Sequence, residues 1–148
     1  MSTITIKIKK LSHGQDLPLP SYATLGSSGV DLLAATKDDI ILKPFNRSII
    51  PTAITMEIPD NYEGQIRSRS GITAKHGVKV LNSPGTIDSD YRGEIKVILI
   101  NLGEKEFTIL RGMKIAQLVI SPYYKILWQE DVLTSTERNE GGFGSTGV

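Results

Sequence analysis

Cysteine is absent from the 148 residues. That absence removes disulfide staples, thiolate metal sites and a cysteine nucleophile from consideration. Histidine is nearly as scarce, with His13 and His76 alone, which argues against a histidine-rich metal centre. Excess charge is missing too. Lys and Arg number 17 against 16 Asp and Glu, a net charge of +1. A nucleic-acid protein that works by neutralising phosphates needs far more, so no direct nucleic-acid binding is expected. Lys7, Lys9 and Lys10 form the densest basic cluster and read as the solvated side of a strand. No apolar run approaches membrane-spanning length, and "MSTITIKIKK" lacks the unbroken apolar stretch of a secretory signal. The expectation is a protein without membrane attachment, located in the cytoplasm.

What is present is a period of two. Ile4, Ile6 and Ile8 alternate with polar residues, as do Ile54, Met56 and Ile58, and Phe107 and Ile109 flank Thr108. The run "EIKVILIN" (94–101) is apolar on both faces, which suits a central strand or one lying against another subunit. Turn signals such as "GSSG", "PDNYEG", "NSPG" and "DYRG" recur roughly every 8–12 residues, the rhythm of an all-β sandwich or barrel. Residues 70–76 ("SGITAKH") predict a short helix with Ser70 as its N-cap. Residues 125–133 ("KILWQEDVL") are read as a strand. Residues 1–134 make one β domain, and residues 135–148 an arm too poor in apolar residues to fold alone.

Several chemistries fail on the residues. The tail "GGFGSTG" has no lysine, so it is no P-loop. "DSDYRGEIKVIL" (88–99) puts Arg92 and Leu99 where a calcium loop needs ligands. What remains is a set of Gly/Ser/Arg/Asp clusters on turns: Asp31, then Arg69, Ser70 and Gly71, then Asn82, Asp88 and Tyr91, then Lys114 and Gln117. Ser-Gly turns expose N–H groups suited to phosphate oxygens, arginine adds bidentate recognition, and carboxylates help hold a hydrated magnesium ion. Phe143, alone on the tail, can stack on a base. Together these are the parts of a nucleoside polyphosphate site. Taken singly, Arg69 and Arg92 also suit surface ion pairs, Asp31, Asp88 and Asp90 suit turns, and Tyr91 suits a core.

Five segments carry a resemblance: "SSGVDLLAA" (27–35), "RSRSGITAKH" (67–76), "GTIDSDYRGE" (85–94), "GMKIAQL" (112–118) and "TERNEGGFGSTG" (136–147). In order and spacing the sequence resembles the homotrimeric deoxyuridine triphosphate nucleotidohydrolases, the dUTPases. The resemblance implies a jelly-roll-like β-barrel, a homotrimer with shared active sites, and Mg²⁺-dependent hydrolysis of dUTP to dUMP and pyrophosphate. It implies that Asp88 is the general base for water attack on the α-phosphorus and that Asp31 holds the metal through a water. Arg69, Ser70, Gly71 and Gln117 would take phosphate oxygens, Tyr91 would pack on the deoxyribose, and Asn82 would read the uracil edge. From the arm, Arg138 would reach the γ-phosphate, Phe143 would cover the uracil ring, and Gly144, Ser145 and Thr146 would close on the phosphates. Fourteen extended residues span about 45 Å, enough to reach a neighbouring subunit.

The sequence departs from the family at a few points. Lys114 stands where arginine is usual, which leaves a point charge. Asn139 replaces a glycine but tolerates left-handed angles, Ser68 replaces a frequent proline, and Val30 occupies a variable position. A dCTP deaminase-like enzyme and a non-catalytic trimeric nucleotide-binding protein are the competing readings. The third and fifth segments favour the pyrophosphatase.

Overall fold

Alternating apolar side chains become eleven strands within residues 3–145, the part of the chain that the computed structural model describes. In order they are β1 (Lys7–Lys10), β2 (Val30–Leu33), β3 (Ile40–Leu42), β4 (Arg47–Pro51), β5 (Ile54–Glu57) and β6 (Tyr62–Arg67). After β6 comes one helix, α1 (Ser70–His76). Then follow β7 (Val78–Val80), β8 (Gly85–Ile87), β9 (Lys96–Asn101), β10 (Phe107–Ile109) and β11 (Lys114–Pro122). All strand pairs are antiparallel. One sheet runs β2-β11-β6-β8 and a second runs β4-β9-β7, with β1-β5 and β3-β10 as two-stranded ribbons. The fold is the expected jelly-roll-like all-β one, although these ribbons and sheets do not join into one closed barrel.

Facing strands supply the core. Ile50 and Val97 are cross-strand partners and both fully buried. Leu32, Ile95, Ile109 and Ala116 join them with no exposed surface. Each fully buried aliphatic of this size contributes about 1.5–3 kcal/mol relative to exposure. The reverse face of β4-β9-β7 is apolar as well: Ile49, paired with Ile98, is 61% exposed. Leu81, which donates its N–H to the Ile98 carbonyl, is also exposed. The two-sided pattern of "EIKVILIN" is therefore real, and one chain buries only one side of it.

Three local expectations need correction. Ser70 is not the N-cap: Arg69 holds that position with extended angles, and Ser70 is already helical. The helix ends at Gly77, whose φ of 70° and whose close approach to Gly103 admit no β-carbon. Residues 125–133 form no strand. β11 ends at Pro122, and Leu127, Trp128, Val132 and Leu133 lie exposed beyond it, paired with no strand among the described residues. At the other terminus the strand starts only at Lys7; Ile6 packs on the core while Ile4 and Ile8 stay largely exposed. Among the described residues no helix is long and apolar enough to cross a membrane.

Arg111 ties the turn before β11 to the N-terminal segment. Its guanidinium donates to both Asp16 carboxylate oxygens (2.6 and 3.2 Å) and to the carbonyls of His13 and Thr36. The hydrogen bond from Arg111 holds the Asp16 carboxyl below its usual 3.8. A depressed carboxyl stabilises fully above its unfolded value and loses that contribution as pH falls through the lower folded one. In Asp16→Asn, thermal melts should therefore show a shallower fall of Tm below about pH 4. Acid limbs identical to those of the unaltered chain would contradict this.

Candidate active site

The register of one sheet assembles the first half of the site. On β11, Gln117 lies opposite Asp31 of β2 on one side and Arg67 of β6 on the other. A cavity of about 390 Å³ opens at this end of the sheet. Asp31, Arg69, Ser70, Gly71 and Gln117 line it, so five of the expected residues from three separate segments are brought together. The opposite wall is the 23–29 loop, including Ser27 and Ser28, two hydroxyl residues that the sequence pattern did not single out. Their signals were the "GSSG" spelling of a turn and their place at the head of the segment "SSGVDLLAA".

Charge is arranged around one carboxylate. Arg69 Nε is 2.9 Å from Asp31 Oδ1, and Lys114 Nζ is 2.8 Å from Asp31 Oδ2. Arg69 also donates to the Lys114 carbonyl at 3.2 Å. Arg69 and Asp31 line the cavity while Lys114 backs Asp31 from outside that lining, so the three-residue cluster carries one positive charge in excess, which suits a polyanion. Lys114 reaches Asp31 because β11 shifts register between Lys114 and Ala116. In strict alternation Lys114 would share the buried side of Ala116 and Leu118; the irregularity buries Ile115 and re-aims the lysine. Ser68, the departure from proline, accepts the Val80 N–H at 2.9 Å through its hydroxyl, and its carbonyl accepts from Gln117 Nε2 at 3.0 Å. In α1 the first intrahelical donor is the Thr73 N–H, so the N–H groups of Ser70 and Gly71 lie outside the helical ladder.

Among the described residues no three His, Asp or Glu side chains converge as a metal cage. Asp31 is the one carboxylate lining the cavity. This donor set fits magnesium that keeps its waters and takes most other ligands from phosphate oxygens.

Three of the other residues that the resemblance names stand elsewhere on the chain. Asn82, Asp88 and Tyr91 belong to the segment around β8, and none of them lines the cavity. The Tyr91 N–H donates to the Asp88 carbonyl at 3.1 Å and closes a turn there. The Tyr91 hydroxyl donates to the Glu94 carbonyl at 3.0 Å, over Gly93, where a β-carbon would run into that hydroxyl. Asn82, Asp88 and Tyr91 are all exposed. Ile87 pairs with Gly64, so Asp88 sits beside Glu63, whereas Asp31 sits level with Arg67. That is about 14 Å along the strands, and three strand spacings add about 14 Å across the sheet. Within one chain Asp88 does not meet the cavity.

The arm residues are also apart from it. Arg138 Nε donates to the Gly141 carbonyl at 2.8 Å, Asn139 adopts the left-handed φ of 42° its replacement of glycine calls for, and Phe143 is fully exposed. Gly144, at φ 91°, and Ser145 continue the turn, with the Ser145 N–H on the Gly142 carbonyl. Thr146 lies outside the described residues.

Fold and cavity together define an all-β protein built to take a phosphorylated ligand. Residues 15–147 match the family described as dUTPase, and the chain belongs to that family. It is 58% identical over 147 residues to the deoxyuridine 5'-triphosphate nucleotidohydrolase of Wolbachia pipientis subsp. Culex pipiens (strain wPip), covering 97% of this chain and 96% of that protein. It is 56% identical to the enzyme of the same description from Rickettsia typhi (strain ATCC VR-144 / Wilmington), over the whole of both chains. A mutant dUTPase of Staphylococcus bacteriophage 80alpha, solved with dUpNHpp, superposes with a TM-score of 0.85 at 27% identity, covering 99% of this chain and 100% of that one.

Replacing Arg69 with alanine should weaken binding of inorganic tripolyphosphate by about 10- to 100-fold in calorimetric titrations, the loss of a charged hydrogen-bonding group. Unchanged affinity would remove Arg69 from phosphate binding.

Proposed function

We propose that this chain hydrolyses dUTP to dUMP and pyrophosphate as a cytoplasmic homotrimer, with the triphosphate carrying magnesium. The observation that carries this reading is the cavity in which Asp31, Arg69, Ser70, Gly71 and Gln117 converge, within a chain of the dUTPase family. Arg69, Ser70, Gly71 and Gln117 hold the phosphate chain, and Asp31 holds the metal through its water. Magnesium, when bound, spreads the negative charge that builds on the phosphoryl oxygens.

Asp88 of a neighbouring copy serves as general base. It takes a proton from one water, whose oxygen bonds to the α-phosphorus while the bond to the bridging α–β oxygen breaks and pyrophosphate departs. Tyr91 packs on the deoxyribose with its hydroxyl already engaged by the Glu94 carbonyl, and Asn82 reads the uracil edge. Residues 135–148 form an arm that closes over a site: Arg138 on the γ-phosphate, Phe143 over the base, and Gly144, Ser145 and Thr146 on the phosphates. Closure of this kind excludes bulk water.

Two surfaces support association of copies. The apolar outer face carrying Ile49, Ile98 and Leu81 is left partly open to solvent, with Ile49 and Leu81 exposed. The segment carrying Leu127, Trp128, Val132 and Leu133 exposes residues that a second copy's sheet would bury.

With Mg²⁺, the unaltered protein should release pyrophosphate from dUTP. Asp88→Asn should lower that rate by about 10²- to 10⁴-fold while melting temperature and binding of dUpNHpp stay near the original. An Asp88→Asn protein of full activity would overturn the assignment of the base.

A further inference from the structure

The ion pair between Asp31 and Lys114 lies where a divalent cation and a triphosphate would meet, and the sequence offers lysine there in place of the usual arginine. Asp31 is held firmly: its side chain is 15% exposed and both oxygens are engaged. Arg69 is anchored a second time by the Lys114 carbonyl. Lys114 differs. Its side chain is 51% exposed, and among the described residues its ammonium makes no contact besides Asp31. A compact ammonium on a flexible stem, with one partner and open solvent beside it, is the most easily released of the three charges.

We propose that Lys114 is a built-in counter-cation: in the empty site it neutralises Asp31 in the place of a divalent ion, and an arriving polyphosphate draws it away. The identity of the incoming group rests on the dUTP reading, whereas the competition between Lys114 and a divalent ion for Asp31 does not. The consequence is an order of events. A carboxylate already paired with Arg69 and Lys114 has little attraction left for a free divalent ion. Polyphosphate oxygens offer Lys114 a stronger anion than a single carboxylate, so the carboxylate is freed for a metal's water when the nucleotide is in place. The β11 irregularity is what makes the exchange possible, since it turns Lys114 from the core side toward Asp31.

The test uses Mn²⁺ and nucleotide-free protein, with free Mn²⁺ read by electron paramagnetic resonance. The unaltered protein and Lys114→Arg should bind Mn²⁺ equally weakly. Lys114→Met and Lys114→Gln should each bind it about tenfold more tightly. That gain should vanish when Asp31→Asn is added to either. Because Lys114 is half-exposed, neither substitution leaves a buried void, and thermal melts check the fold. Equal Mn²⁺ affinity in the unaltered, Met and Gln proteins would overturn the proposal, as would a gain that survives Asp31→Asn. The titration contains no nucleotide, so its outcome does not depend on whether the chain hydrolyses dUTP.

Discussion

Everything in this molecule follows from the pairing of β2, β11, β6 and β8 into one antiparallel sheet with a fixed register. That register sets Asp31 and Gln117 level with the end of β6, and so beside Arg69, Ser70 and Gly71. It also carries Asp88 to the far end of the opposite edge. A one-residue slip would turn each side chain to the other face of the sheet, so the core that Ile115, Ala116 and Leu118 join fixes the arrangement. The same hydrogen bonds that build the phosphate cavity keep the proposed base out of it. On the proposed assignment of Asp88 a complete site calls for a second copy, and the exposed apolar surfaces at Ile49 and at Leu127 and Trp128 are suited to recruit one.

Electrostatics in the cavity follow from how few charges it contains. Asp31 and Arg69 line it, and Lys114, paired with Asp31, leaves the cluster with one positive charge in excess. On the proposed function, a divalent ion enters such a site mainly in company with phosphate oxygens. In the proposed closure the arm adds a further cation, Arg138, and an exposed aromatic, Phe143. In the structure both lie in local turns of their own making.

Much of this was legible in the residues. Alternation marked the strands at 54–58 and 107–109, and the two apolar faces of 94–101 signalled a strand with more to bury than one chain supplies. The gathering of Asp31, Arg69, Ser70, Gly71 and Gln117 was anticipated by segment order. Other features were illegible for physical reasons. Residues 125–133 have the composition of a strand, but a strand exists only where the segment pairs with another, and composition does not specify a partner. Ser70 looked like a cap because its residue type favours one, yet the extended backbone at Arg69 moved the boundary by one position. The Lys114–Asp31 contact depends on a register shift at Ile115, and nothing in "MKIAQ" announces it.

The proposed sharing of one site between copies is tested most directly by mixing two impaired proteins at a dUTP concentration where each alone is slow. Arg69→Ala spoils the cavity and keeps the Asp88 turn, while Asp88→Asn does the reverse. Unfolded together and refolded, with mixed assemblies isolated through two different tags, they should hydrolyse dUTP faster than either does alone. Mixed assemblies that form and remain as slow as the parents would contradict a site built from two chains.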